Sequence, residues 1–232
     1  MATLANFMPH ILPFVSGCPE PTAMLHLRVA IAEFCERTRC WTHQVRNLPA
    51  STSSRIAIPV PPGTAIVAIE KCWLDGRELY PLPLSTLSQS DLDEIGTPEF
   101  FTQARPGEVS LVPRGTGNLR LNVYVKPVET PSGKSTIAYS VYSPDVYEGV
   151  YTESTAEVSG TLVIPDFILE QWGSPISDGA VARIKMIPNQ PWTDPSGAAA
   201  HAGNFERHVL ANFGRNLRGQ HRATRRQRAS YF

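Results

Sequence analysis

The sequence predicts an α+β fold: an α-helical bundle formed by N- and C-terminal helices, an inserted antiparallel β domain, and an extended C-terminal tail. Three observations predict it. Helical periodicity covers the stretch up to Trp41 and returns after Pro165, and short alternating runs rich in β-branched residues fill the interval. Six arginines, with no acidic residue among them, then close the chain. The corresponding division is 1–53 for an N-terminal arm and first bundle helix, 54–164 for the β domain, 165–214 for the closing helices and 215–232 for a basic tail.

At 232 residues the chain can bury one sizeable core, or one core with a smaller insertion. Its hydrophobic fraction is 42%, and no apolar run reaches the roughly 18 residues of a membrane span. "MATLANFMPHILPFV" lacks the basic start and small-residue cleavage site of a secretory signal, so Met1 to Phe14 is expected to pack against the body.

The first helix has a clear start. Ser16, Gly17 and Cys18 precede Pro19 and Pro21, whose missing N–H groups cost nothing in a first turn. Leu27, Ile31, Phe34, Thr38 and Trp41 then share one face. Arg28, Glu33, Glu36 and Arg37 take the other, with Glu33 and Arg37 in the favourable i,i+4 order.

From Ser54 the pattern becomes β-like. "TAIVAIEKCWL" ends at Asp75-Gly76, a two-residue hairpin signal that returns the chain through "RELYPL". "LSTLSQSDLDEI" reads as a short helix capped by Ser85. "EFFTQ" and "EVSLVP" form a second hairpin across Arg105-Pro106-Gly107, and "NLRLNVYVKP" alternates as a half-buried strand does. Strand-like sequence continues to Ile164.

After Pro165 the helical period resumes, with a break or bend expected near Gly173-Ser174-Pro175 because proline removes a helix hydrogen bond. The last helix starts with Asp194 as cap and Pro195 in its first turn, and sets Phe205, Val209, Phe213 and Leu217 four apart.

Catalytic and ligand-binding patterns are weak. Gly133-Lys134-Ser135 matches the end of a phosphate loop, but Val128 stands where the first glycine is required. Cys18, Cys35, Cys40 and Cys72 form no C-x-x-C pair, so free thiols in a reducing compartment are expected. Cys35 and Cys40, five apart on one helix, are not expected to bridge. His10, His26, His43, His201, His208 and His221 are dispersed, with no nucleophile frame, and Asp91, Asp93 and Glu94 read as a helix cap or polar face. No catalytic, metal or cofactor residue is assigned.

Formal net charge is zero, so the arginines at Arg215, Arg218, Arg222, Arg225, Arg226 and Arg228 leave about −6 on the remainder. A basic tail on an acidic body suits an acidic partner surface or nucleic acid phosphates. Its terminal aromatics, Tyr231 and Phe232, would gain from burial.

These stretches together resemble the head-to-tail adaptor (connector) proteins of tailed bacteriophages. "ILPFVSGCPEPTAMLHLRVAIAEFCERTRCW" is similar to that family's opening "PGCP" turn followed by "A..EFCE.TR.W". Cys72 to Arg77, "TPEFFTQARPGEVSLVP" and "PNQPWTDPSGAAAHAGNFE" follow in the family's order. The resemblance implies a structural protein of the virion head–tail junction, made in the host cytoplasm and without catalysis, membrane or cofactor. It implies a homo-oligomeric ring, commonly a dodecamer, under the portal protein, with genomic DNA passing non-specifically through its channel. Tail or neck proteins, fibre among them, are the further partners. The tail from Arg215 to Phe232 is then the portal-binding element, while Glu33 and Arg37 are candidate subunit contacts. Two features depart from the family: Pro175 interrupts a helix usually continuous, and the strand-rich stretch from about Pro131 to Gly160 is longer than usual. The alternative is another virion interaction protein whose β domain binds a tail fibre or host surface; an enzyme ranks third.

Overall fold

The structure is a computed structural model that describes residues 2–52, 55–103, 105–128 and 164–220, and the backbone alone at 89 and 214–220. It is a mixed fold of helices and one seven-stranded sheet. Its start is packed as the sequence predicts. A 3-10 helix at Leu4–His10 and a shorter one at Leu12–Phe14 follow each other, and Phe7 of the first and Ile11 between the two are completely buried. The backbone of Ala2 pairs with that of Ile164 through hydrogen bonds of 2.8 and 3.2 Å, tying the chain's beginning to the lead-in of the closing helices.

Helix α1 spans Glu20–Thr38, with Pro19 as its N-cap and Pro21 in the first turn. Leu27, Ile31, Phe34 and Thr38 are fully buried, as their spacing requires. The helix stops where Arg39 turns left-handed at φ 53° and its N–H reaches the Cys35 carbonyl. An L residue pays on the order of 1 kcal/mol for that conformation. The Arg39 guanidinium meets two rings there, Tyr124 at 5.7 Å and Phe213 at 5.9 Å, which help to hold it.

Strand β1, Thr42–Ala50, follows at once, so the sheet begins before position 54. "THQVRNLPA" is polar and contains a proline, which hid it. Both are tolerated because β1 is an edge strand, kinked by a register shift between Val45 and Leu48 around Asn47 at φ 56°. The other strands are β2 (Ile56–Ala57), β3 (Thr64–Leu74), β4 (Arg77–Pro81), β5 (Phe100–Thr102), β6 (Glu108–Val112) and β7 (Gly117–Pro127). Their order is β1-β7-β3-β4-β5-β6-β2. Both hairpins form where predicted, β3 to β4 through Asp75 and Gly76 at φ 49° and 87°. One pairing, β4 with β5, is parallel, so the sheet is not wholly antiparallel as expected. The segment joining these two strands carries the chain back to the same end before it re-enters.

That segment also corrects a cap. Leu84–Thr86 is a 3-10 turn, and the short helix α2 (Gln89–Asp93) is capped by Ser88 instead of Ser85. Ser88 has an acid three residues on. The Asp91 N–H donates to Ser88 Oγ at 3.3 Å and the Ser88 N–H donates to Asp91 Oδ2 at 2.8 Å. Ser85 is followed at that distance only by Ser88.

Helix α3, Asp166–Lys185, runs unbroken through Pro175, against the break expected there. Pro175 is buried, and within the same turns the Ser177 hydroxyl donates to the Gly173 carbonyl at 2.7 Å. Tertiary packing outweighs the local cost of the ring. Helix α4, Pro195–Gln220, starts on Asp194, whose Oδ1 accepts the Gly197 N–H at 2.9 Å. It passes the expected boundary at 214, so the backbone at 215–220 is helical.

The buried residues of α1, α3, α4 and the sheet form one contiguous core. Phe34 sits at its centre, its ring 5.8 Å from Trp172 and 6.1 Å from Phe205. On β7, Leu119, Leu121, Val123 and Val125 alternate inward and are fully buried. At the edge of this seam Lys126 of β7 donates to Glu36 of α1 at 2.5 Å.

Candidate functional site

The charged face of α1 is joined to the two closing helices. Arg37 donates to Glu33 at 3.0 Å and, through both terminal nitrogens, to the two oxygens of Glu206 at 2.5 Å each. Arg183 of α3 takes the other oxygen of Glu33, donates to the Gly179 carbonyl at 2.6 Å and lies over the Phe205 ring. The result is a chain Glu206–Arg37–Glu33–Arg183 across three helices. The Glu206 carboxylate raises the Arg37 pKa, and Arg37 lowers that of Glu206. Glu33 and Arg37 are thus paired within the subunit while their side chains stay 33% and 35% exposed. Arg183 and Glu206 had no signal in the sequence, since nothing local marks partners so far apart.

The arginine tail divides. Arg215 and Arg218 sit on the α4 backbone, while Arg222, Arg225, Arg226, Arg228, Tyr231 and Phe232 lie outside the described residues. Gly133-Lys134-Ser135, the strand-rich stretch from Pro131 to Gly160 and His221 also lie outside them.

The carboxylates near α2 have structural work. Asp91 closes the capping box, its pKa lowered by the Ser88 hydroxyl and N–H, and Asp93 pairs with Arg114. His201 of α4 meets Asp178 of α3 at 2.7 Å and packs edge-on against Phe14, at 5.1 Å. Burial lowers the pKa of His26, with Arg183 adding to it, and burial alone lowers that of His43. Among the described residues no group of three or more His, Cys, Asp or Glu is placed to hold a metal, and no helix is long and apolar enough to cross a membrane.

The cysteines include a surprise. Cys18, Cys35 and Cys72 are buried thiols, but Cys40 Sγ lies 3.9 Å from Cys35 Sγ. On a continued helix residues five apart diverge by about 140°. The left-handed turn at Arg39 ends the helix first and brings Cys40 back over Cys35, which overturns the separation expected from the spacing.

Two concave surfaces lie among the described residues. On α1 the exposed Leu25 and Val29, one turn apart, flank a shallow groove of about 520 Å³ lined by Glu20, Pro21, Met24, Leu25 and Arg28. On the sheet a cleft of about 300 Å³ is lined by residues including Arg39, Glu70, Lys71, Glu78, Tyr80 and Tyr124. Its charges are mutually engaged. Lys71 pairs with Glu78 at 3.4 Å, and Tyr124 has its pKa raised by burial first and by Glu70 second. Tyr80, Leu84 and Ile95 stand exposed on the β4–β5 side.

No protein-family model matches the sequence, and no curated protein matches it as a relative.

Proposed function

We propose that this chain is a structural head-to-tail adaptor of a tailed-phage virion, a non-catalytic ring subunit that docks beneath the portal. In this reading α1, α3 and α4 are the ring body as a bundle, the strands are an inserted β unit, and the basic tail reaches the portal.

One observation carries it. Two of the stretches that carry the resemblance, "GCPEPTAMLHLRVAIAEFCERTRCW" and "PNQPWTDPSGAAAHAGNFE", lie far apart in sequence, yet Phe34 of the first packs 6.1 Å from Phe205 of the second, with Trp172 of α3 on its other side. A closed ring of heterologous contacts then needs complementary outer faces and no active site. The Leu25/Val29 strip supplies apolar area on the side of α1 turned from the core.

The test is co-expression with the cognate portal, followed by imaging of the isolated assemblies. A ring of this chain seated under the portal is expected, and truncation after Gln220, which spares α4, is expected to abolish attachment while the subunit stays folded. Full attachment of the truncated chain removes residues 221–232 from the reading. A second reading, a virion protein that binds a fibre, is favoured by the exposed Tyr80 and Ile95; co-purification with fibre and not portal would select it.

A further inference from the structure

We infer that Cys35 and Cys40 form an oxidation site, a dithiol that closes to an intramolecular disulfide at the junction of α1 and β1. The proposal is independent of the adaptor reading, because it concerns the isolated full-length chain.

Three features support it. The sulfurs are 3.9 Å apart, against about 2.05 Å in a disulfide, and Cys40 lies just outside the helix that carries Cys35. Cys40 is the partly exposed member and Cys35 the buried one, so an oxidant meets Cys40 first and Cys35 is in place to resolve it. A thiol hydrogen bond joins the two sulfurs; it lowers the Cys40 pKa, with Thr38 helping, and raises that of Cys35.

The remaining thiols provide contrast. Cys72 is fully buried, with its pKa pushed up to about 12 by burial, and burial also raises that of Cys18. Both are poor thiolates with no sulfur partner among the described contacts.

The chemistry balances with a peroxide as oxidant. The Cys40 thiolate attacks one peroxide oxygen, the O–O bond breaks, and hydroxide leaves to take a proton as water. Cys40 is now a sulfenic acid, oxidised by two electrons. The Cys35 sulfur then attacks the Cys40 sulfur, the S–O bond breaks, and a second water leaves with the Cys35 proton. Overall two thiols and one hydrogen peroxide give one disulfide and two waters.

The experiment treats the native full-length protein with stoichiometric hydrogen peroxide, blocks the remaining thiols with iodoacetamide after denaturation, and maps peptides by mass. The expected product is about 2 Da lighter before blocking, with Cys35 linked to Cys40 and with Cys18 and Cys72 alkylated. Cys40→Ser is expected to leave Cys35 fully alkylated under the same treatment. As a folding-independent control, the unfolded wild-type chain in urea should show at least a tenfold slower or unselective pairing. Alkylation of both Cys35 and Cys40 in the treated native protein overturns the proposal, as does their accumulation as sulfinic acids or intermolecular disulfides.

Discussion

Arg37 holds Glu206 through both guanidinium nitrogens, each at 2.5 Å, across the seam between α1 and α4. The pair is bidentate, the geometry in which an arginine–carboxylate contact is strongest. It is also solvent-accessible, with side-chain exposures of 35% and 48%, so water and salt screen much of its Coulomb energy. Glu206→Gln is expected to cost no more than about 1 kcal/mol of unfolding free energy, and less at 1 M salt. The Glu206 pKa is lowered in the fold, so its contribution is present above the unfolded carboxylate value near ~4.3 and is lost as pH falls through the folded one. Urea denaturation of both proteins from pH 7 to pH 2 checks this, and a gap that widens on acidification contradicts it.

Gly179 of α3 lies directly against the Phe205 ring of α4. A Cβ placed there would stand 2.6 Å from the Phe205 ring, which is only 3% exposed and hemmed by Phe34 and Arg183. Alanine gains about 1 kcal/mol of helix propensity over glycine, but overpacking costs about 1–3 kcal/mol. Gly179→Ala is therefore expected to destabilise, and the loss to shrink in a Phe205→Leu background. Equal losses in the two backgrounds would mean that the ring is not the obstacle.

Phe34 is fully buried between Trp172 and Phe205. Phe34→Ala is expected to cost about 3–5 kcal/mol, the range for an aromatic cavity that cannot collapse. Chemical denaturation measures it directly. A loss below about 1 kcal/mol would indicate that the three helices do not share this core.

Asp194 caps α4 and also receives Lys185 at 3.1 Å. The Gly197 N–H, the Ser196 hydroxyl and Lys185 bring its pKa down to about 2. The carboxylate therefore stabilises the fold above its unfolded value near ~3.9, and this contribution fades as pH drops toward the folded value. Asp194→Ala is expected to lower the thermal midpoint at pH 7 by a few degrees, with most of the difference gone at pH 2. Calorimetry at the two pH values distinguishes this from a loss that does not depend on charge.

Much of the fold was readable because its signals are local. The buried face of α1 follows from residues three and four apart, the β3–β4 turn from Asp75-Gly76, and the start of α4 from Asp194-Pro195. Each depends on contacts within a few residues, where spacing and side-chain chemistry suffice. Most of the expected tail and the strand-rich stretch from Pro131 to Gly160 lie outside the described residues.

Other features were settled by partners that spacing cannot name. β1 forms from an unpromising sequence because β7 offers it an edge, and Pro175 stays helical because the surrounding packing holds it. Arg183 reaches Glu33 from 150 residues away, joining the charged face of α1 to α3. Cys40 meets Cys35 only because Arg39 ends the helix left-handed, with Tyr124 and Phe213 under its guanidinium. Local chemistry thus determined where the principal helices and hairpins start and turn. Three-dimensional packing decided which charges and which thiols are brought together, since those energies depend on distance in space and not on separation along the chain.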